Sequence, residues 1–249
     1  MVYMDDKRRL YKQIFIAVVY LVIFSGLGTG IYFLVRPAPT PLPPPAPTIY
    51  PIQVLWSQAF VVGQDFYSVG AKIRNPNTDF GASYFTYTFY LYDASGALLT
   101  TASGESFIWP GESKYVISGG INITKAPVRV EMAVGEPAWR EIKEFKGVDL
   151  TLGNINFSKP KSSSGIFFVV NATAGNNTSY DLNKVYVAAV IFDKGDRPIA
   201  VNSTILDNLK SKERRPVSLT WFLPFLDSIN RVDASISTNL WERPELLGQ

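Results

Sequence analysis

The sequence predicts an all-β protein in which two tandem immunoglobulin-like β-sandwich domains follow one transmembrane α-helix. Two observations lead to this fold class: an uncharged run near the N-terminus, and alternating apolar patterns that recur about 100 residues apart. No segment after residue 48 has helical periodicity over more than about two turns. The predicted segments are a cytoplasmic stub (1–13), a transmembrane helix (14–35), a proline-rich stalk (36–48) and two β-sandwich domains (49–145 and 146–245).

The uncharged run extends from Ile14 to Val35. At about 1.5 Å per helical residue it is long enough to cross a hydrocarbon core of about 30 Å. A cleaved signal peptide is the alternative, but its apolar region usually spans about 7–15 residues and ends in small residues. This run is longer and ends in the sequence IYFLV, which is a poor cleavage site. The run is therefore interpreted as an uncleaved signal-anchor.

The charges that flank this run predict its orientation. Four basic residues lie in the stub, whereas Arg36 is the only charged residue between the run and Asp65. Because cytoplasmic flanks carry the excess of Lys and Arg, the N-terminus is expected in the cytoplasm and the C-terminal domains outside the cell membrane. Without the stub and Arg36, nineteen basic and nineteen acidic residues remain. The net charge of +3 therefore reflects topology and does not indicate nucleic-acid binding.

Gly26 and Gly30 form a GxxxG pair inside the predicted membrane helix. This spacing allows two helices to approach closely, so the pair is a candidate helix–helix contact with a second copy. Glycine is also common in membrane helices that do not dimerise, and that reading stays open.

The absence of two residue types narrows the possible chemistry. The chain contains no His and no Cys. It therefore lacks the usual general base near neutral pH, the commonest zinc ligand and any thiol nucleophile. We expect no enzymatic activity, no catalytic residue, no metal, no cofactor and no small-molecule substrate. The lack of disulfides in an exported protein fits a prokaryotic surface protein better than a secreted eukaryotic one.

The stalk, residues 36–48, contains seven prolines in the sequence RPAPTPLPPPAPT. Such a run favours an extended polyproline II conformation of about 3.1 Å per residue. It is interpreted as a spacer that lifts the following domains off the membrane, although proline-rich runs are also ligands of aromatic grooves.

An internal repeat predicts two similar domains after the stalk. Residues 67–73 alternate between apolar and polar side chains, and residues 166–172 do the same. The apolar positions of 85–91 recur in 185–191, and those of 128–132 recur in 232–236. Period-two alternation is typical of strands with one buried face. Trp139 and Trp241 close the two halves at a similar offset.

Each of the two central strands leads into a turn that starts with an aspartate. The turns are Asp93-Ala94-Ser95-Gly96 and Asp193-Lys194-Gly195-Asp196. Asp side chains accept hydrogen bonds from their own turn backbone, and Gly adopts positive φ, so both segments are predicted hairpin turns. A calcium loop is the alternative, but such a loop needs more oxygen ligands than these turns provide.

The segment Phe89-Tyr90-Leu91-Tyr92-Asp93 resembles the motif of the FxLYD domain family. The resemblance extends back to residues 69–75 (VGAKIRN), forward to Trp109-Pro110-Gly111-Glu112, and covers residues 54–139. It implies a small extracytoplasmic β-sandwich of bacteria and archaea, without an established molecular function. More distantly the arrangement is similar to the late-embryogenesis-abundant type 2 sandwich. In the second half the motif degrades to Ala189-Val190-Ile191-Phe192-Asp193 and no Pro-Gly-Glu appears, so the repeat alone carries that assignment.

The candidate partner-binding residues are aromatic or lie beside aromatic residues. The run 220–226, TWFLPFL, has no counterpart in the first half. Trp221 is expected to continue the inward row of its strand, whereas Phe222 and Phe225 cannot both be explained by strand alternation. Exposed aromatic patches mark interaction surfaces. The candidates are Phe222, Pro224 and Phe225, together with Trp109 in its Pro-Gly turn, and burial between the domains or over a sandwich end is the alternative for all four.

These observations predict a single-pass surface protein of the cell envelope that acts as a structural or protein-interaction module. The expected partner is another envelope protein or a second copy. A module that binds glycan or cell-wall polymer through Trp109 or residues 221–226 is the alternative.

Overall fold

The computed structural model describes residues 3–36, 47–160, 165–225, 229–241, 243 and 246. Within these residues it contains one α-helix and thirteen β-strands. In chain order they are α1 (Tyr3–Val35), β1 (Gln53–Gly63), β2 (Phe66–Arg74), β3 (Phe80–Tyr92), β4 (Leu98–Ile108), β5 (Ser113–Asn122), β6 (Arg129–Val134), β7 (Trp139–Glu141), β8 (Leu150–Ser158), β9 (Phe168–Asn176), β10 (Leu182–Asp193), β11 (Pro198–Leu209), β12 (Arg214–Trp221) and β13 (Ile229–Thr238).

Helix α1 contains the predicted membrane span and extends beyond it toward the N-terminus. Lys7–Val35 is long and apolar enough to cross a membrane, with a mean hydropathy of 2.3. The helix begins at Tyr3 and therefore includes most of the predicted cytoplasmic stub. Residues 3–25 contain neither Gly nor Pro, so nothing in the sequence ends the helix between the stub and the span.

The chain divides by its contacts into two units, Met1–Pro47 and Thr48–Gln249. Most of the predicted proline-rich stalk (36–48) lies outside the described residues, which leave out 37–46. All thirteen strands belong to the second unit.

The strands form four antiparallel sheets, and the two halves of the unit repeat the same strand order. In the first half the orders are β1-β2-β5 and β4-β3-β6, with β7 paired to β3. In the second half they are β8-β9-β12 and β11-β10-β13. Each strand of the second half therefore pairs as its counterpart in the first half does, which agrees with the internal repeat in the sequence.

A core lies between the two sheets of each half. In the first half it joins Val69, Ala71 and Ile73 of β2 to the inward residues of β3, Phe85, Tyr87, Phe89 and Leu91. In the second half it joins the inward residues of β9 and β12 to Val187, Ala189 and Ile191 of β10. These are the rows that the period-two patterns predict, and most of them are fully buried.

Strand β10 differs from its counterpart β3 because both of its faces are buried. Ala188, Val190 and Phe192 point away from the second core and pack against Phe60 of β1 and Tyr115 of β5. The sheet β1-β2-β5 thus lies against the sheet β11-β10-β13, and the four sheets stack as layers. The continuous apolar sequence of β10 is the pattern expected for a strand covered on both faces.

Two sequence expectations about individual residues are corrected. Val128 was placed in a strand with Val130 and Met132, but it is 70% exposed and precedes β6. Trp139 and Trp241 were expected to be equivalent. Trp139 packs against the first core, whereas Trp241 packs in a third cluster together with Trp109.

Candidate partner-binding groove

A groove of about 430 Å³ lies between the two halves near the end of β12. We call it the aromatic groove. It is lined by residues 58–62 of β1, Ser68, residues 198–202 of β11, and residues 220–225. Three of the predicted partner-binding residues, Phe222, Pro224 and Phe225, therefore line one groove.

The position of Phe222 follows from the alternation of β12. Val217, Leu219 and Trp221 form the inward row of this strand and are buried, as the sequence predicts for Trp221. Because successive side chains of a strand point to opposite faces, the residue after Trp221 faces outward. Phe222 is accordingly 62% exposed. A large apolar side chain is thus displayed to solvent at the rim of the groove.

The residues after Phe222 leave the strand and return over the end of the second core. Pro224 is exposed and has no N–H with which to continue a strand ladder. Phe225 is half-buried, and its ring lies 5.4 Å from that of Phe168 in an edge-to-face arrangement. Of the two phenylalanines that strand alternation could not both explain, Phe222 is therefore the exposed one and Phe225 packs against the second core.

The lining of the aromatic groove offers apolar area and little charge. None of the described residues that line it is Asp, Glu, Lys or Arg. Its polar members are Gln58, Ser68, Asn202 and Thr220, and the amide of Asn202 already donates to the carbonyl oxygen of Thr220 at 2.8 Å. Such a surface contributes to the free energy of binding mainly through the apolar area that a ligand buries. It suits an apolar ligand segment.

Trp109, the fourth candidate, is not part of this surface. It is 4% exposed, and its Nε1 donates a hydrogen bond to the carbonyl oxygen of Thr238 at 3.2 Å. Its ring is stacked between those of Phe145 and Trp241, with centroid distances of 4.8 and 4.7 Å. Contacts with Thr238 and Trp241, which lie about 130 positions away in the sequence and which no local pattern reveals, contribute to this burial. Trp109 therefore joins the two halves and offers no free area to a partner.

The candidate helix–helix pair lies in α1 on open surface. Gly26 and Gly30 are exposed, and a Cβ atom at either position would have no neighbouring atom within 4 Å beyond the helix itself. The described single chain thus leaves this side of the helix unoccupied, and the contact with a second copy stays a prediction.

The two predicted aspartate turns form in closely similar ways. Oδ1 of Asp93 accepts hydrogen bonds from the backbone N–H groups of Ser95 and Ala97, at 2.9 and 3.0 Å. Oδ1 of Asp193 accepts the corresponding bonds from Gly195 and Arg197, at 2.8 and 2.9 Å. The side chain of Ser95, followed by the backbone of Ala97, lowers the pKa of Asp93. The backbone and then the side chain of Arg197 lower the pKa of Asp193. The capping role of both aspartates is confirmed, but the positive φ expected of glycine occurs at Gly96 in the first turn and at Asp196 instead of Gly195 in the second.

Both halves contain a second turn of the same conformation, although its sequence differs between them. Glu112 Oε2 accepts a hydrogen bond from the N–H of Trp109 at 2.8 Å, within the Pro-Gly-Glu turn. Glu213 Oε2 accepts from the N–H of Lys210 at 2.7 Å in the same way. Lys212 adopts a φ of 61° where the first half has Gly111 at 67°. Sequence reasoning missed this turn because Lys-Ser-Lys contains neither Pro nor Gly, and the glutamate at a spacing of 101 was the available signal.

Each of these turns is held by a fully buried asparagine that the sequence analysis did not identify. The amide nitrogen of Asn75 donates to the carbonyl oxygens of Phe80 and Trp109, at 2.6 and 2.9 Å. The amide nitrogen of Asn176 donates to the carbonyl oxygens of Tyr180, Leu209 and Lys210. Buried backbone groups need such partners, so these asparagines stabilise the fold.

The groove residues thus stand apart from the shared framework of turns, since their segment has no counterpart in the first half. The comparisons with known proteins add no family to this description: neither a protein-family model nor a curated protein matches the sequence.

Proposed function

We propose that this chain is a single-pass, membrane-anchored protein whose β-sheet unit lies outside the cell membrane. The helix Lys7–Val35 supports the anchor, because its length and mean hydropathy are those of a membrane span. The four basic residues of the stub support a cytoplasmic N-terminus. The anchor restricts possible partners to molecules of the same cell envelope.

The β-sheet unit, in this proposal, consists of two immunoglobulin-like sandwiches, of which the first resembles the FxLYD family. The repeated strand order of the four sheets and the two separate cores support a tandem origin. The resemblance to this family supports an extracytoplasmic location, but it implies no molecular activity because none is established for the family. A structural or interaction role therefore has to be argued from the surface of the unit.

The proposed activity is the binding of an apolar segment of another envelope protein in the aromatic groove. The observation that carries it is the 62% exposure of Phe222 at the rim of a groove whose described lining has no charged residue. Exposed aromatic residues beside an apolar concavity are typical of protein-interaction hot spots. A glycan would need more free polar groups than this groove provides, so the groove favours a protein partner over cell-wall polymer.

The test is cross-linking in the native membrane with a photo-reactive phenylalanine analogue in place of Phe222, followed by mass spectrometry. The matched control places the same analogue at Val128, which is also strongly exposed and apolar but does not line the groove. We expect the Phe222 variant to cross-link to one segment of another envelope protein, and the Val128 variant to give no such product.

A second variant tests whether the groove itself makes the contact. Ser68→Trp places a bulky side chain in the lining, on strand β2. We expect this change to abolish the cross-link while the protein remains folded. Cross-linking that is equal at Val128, is unaffected by Ser68→Trp, or joins only two copies of this chain would contradict the proposal.

A further inference from the structure

A second cavity, also of about 430 Å³, lies where the first half meets the second. We call it the junction cavity. It is lined by residues of β3, β4 and β5 on one side and by residues of β10, β11 and β13 on the other. Its volume lies in the range of about 300–1,000 Å³ that small-molecule sites occupy.

A buried lysine lines this cavity without a carboxylate partner. Lys114 is 7% exposed, and in the described part of the chain it forms no ion pair. Its Nζ donates to the carbonyl oxygen of Phe107 at 3.1 Å and lies 3.6 Å from the centroid of the Phe107 ring. An ammonium group has three donors, so one hydrogen bond leaves capacity for a ligand. Buried charges are costly unless they are paired, and a bound anion would supply the missing partner.

The other lining residues are rich in hydroxyl groups and tyrosine rings. Six Ser or Thr residues line the cavity: Ser83, Ser106, Ser203, Thr204, Ser235 and Ser237. Tyr84 and Tyr186 are 43% and 36% exposed, so part of each ring is accessible. Glu105, the one carboxylate in the lining, already accepts a hydrogen bond from the hydroxyl of Tyr84 at 2.9 Å. Hydroxyl groups that donate and accept, next to aromatic faces, are suited to a ligand that is itself polyhydroxylated.

We propose that the junction cavity binds a sugar acid, a carbohydrate that carries a carboxylate group. The carboxylate pairs with Nζ of Lys114, and the sugar hydroxyls bond to the serine and threonine hydroxyls of the lining. The charge-assisted bond supplies most of the discrimination between an acidic and a neutral sugar. This site is separate from the aromatic groove and does not depend on the function proposed for it.

The experiment is calorimetric titration of the full chain in detergent with D-glucuronate, and with D-glucose as the neutral probe of the same shape. We expect saturable binding of D-glucuronate, and binding of D-glucose that is weaker by about tenfold or more. Lys114→Met, which keeps most of the unbranched side chain and removes the charge, should reduce D-glucuronate affinity by about tenfold or more. The matched control Lys194→Met removes an exposed lysine outside the cavity and should leave the affinity unchanged.

Ser203→Trp keeps the test decisive if Lys114→Met does not fold. Ser203 lines the cavity with its side chain exposed, so a bulky replacement should block the site without disturbing a core. The proposal is overturned if D-glucuronate shows no saturable binding up to about 50 mM, which would place the affinity below the weakest useful range. It is also overturned if D-glucose binds equally well, or if the folded cavity variants bind D-glucuronate as the parent does. If D-glucuronate binds as expected, titration with oligomers of glucuronate distinguishes the two sources of the ligand. Tighter binding of the oligomers indicates a site for an acidic polymer, and equal or weaker binding indicates a site for a free sugar acid.

Discussion

Trp241 stacks on Trp109 with ring centroids 4.7 Å apart and an angle of 18° between the ring planes. Trp109 belongs to the first half of the β-sheet unit, and Trp241 follows the last strand of the second. Both pack in one cluster with Leu182, Leu209 and Leu240. The two halves are therefore joined by a core of their own, and a change at this contact should affect the stability of both.

The first prediction concerns Gly81, which lies against Trp241. A Cβ atom on Gly81 would lie 2.5 Å from Cζ2 of Trp241 and 3.0 Å from the carbonyl oxygen of Ile108. The Trp241 ring is stacked on Trp109 and the Ile108 oxygen belongs to the main chain, so relieving these contacts disturbs packing. Gly81→Ala should therefore lower the free energy of unfolding by about 1–3 kcal/mol. Denaturant unfolding measures this change. Gly153→Ala is the matched control in strand β8, because a Cβ atom there has no neighbour within 4 Å. Equal stability of the two variants would contradict the close contact.

The second prediction concerns the buried amide of Asn176. Its nitrogen donates to three main-chain carbonyl oxygens, and its Oδ1 accepts from the N–H and hydroxyl of Thr178. Asn176→Ala leaves these buried groups without partners and should lower the free energy of unfolding by about 2–4 kcal/mol. Asn177→Ala changes the neighbouring half-buried residue and should cost much less. Similar losses in both variants would argue against a structural role of the buried amide.

The third prediction is a dependence of stability on acid pH at Asp193. Hydrogen bonds from Arg197 hold its pKa below the ordinary value of 3.8, so the folded state prefers the carboxylate. The stabilisation is complete above the unfolded pKa and is lost as the pH falls through the folded pKa. Asp193→Asn should therefore lower the thermal midpoint at pH 7, and its difference from the parent should shrink in stronger acid.

Asp93→Asn is the matched control for this acid-pH prediction. Asp93 occupies the same turn position, but its ion pair is with the exposed Lys125 at 3.7 Å, whereas Asp193 is 4% exposed and pairs with Arg197 at 2.6 Å. Surface pairs contribute little, so the loss at pH 7 should be smaller for Asp93. The thermal midpoints of Asp193→Asn and the parent are compared between pH 2 and pH 7. If their difference does not vary with pH, the carboxylate charge is not its source.

The fourth prediction concerns Lys114 in the absence of a ligand. Burial lowers its pKa, and the charge of Glu112 acts in the opposite direction without reversing this shift. Between the lowered folded pKa and the unfolded value of 10.5, the unfolded chain binds more protons, so the destabilisation caused by this lysine decreases as the pH rises. Lys114→Met should be more stable than the parent at pH 7, and this advantage should decrease toward pH 10 in thermal unfolding. An advantage that grows with pH would show that the buried ammonium is well compensated.

The fifth prediction is the topology, for which the chain is well suited because it has no native cysteine. Ser95→Cys introduces a thiol in an exposed turn of the β-sheet unit, and Met4→Cys introduces one before the membrane span. A membrane-impermeant maleimide should label the first variant on intact cells and the second only after lysis. The cysteine-free parent shows the background. The opposite pattern would place the β-sheet unit in the cytoplasm.

Local patterns predicted the parts of this fold that depend on neighbouring residues. The alternation in residues 67–73 and 166–172 located strands β2 and β9, and the aspartates located both hairpin turns. Strand geometry alone placed Trp221 inward, whereas which of Phe222 and Phe225 is exposed was left open. The Lys210–Glu213 turn was missed because a lysine adopts the positive φ that sequence reasoning expects of glycine.

The sequence by itself therefore determined the long apolar N-terminal helix, the all-β class of the remaining chain and the inward rows of the central strands, since each depends on a pattern that a few successive residues carry. Only the tertiary structure decided that β10 is covered on both faces, that Trp109 is buried against Trp241, and that Lys114 lines a cavity between the halves. Each of these features depends on how the sheets of the two halves pack against each other. Apolar packing is non-directional, so an outward-facing aromatic residue has the same local sequence whether solvent or a distant strand covers it.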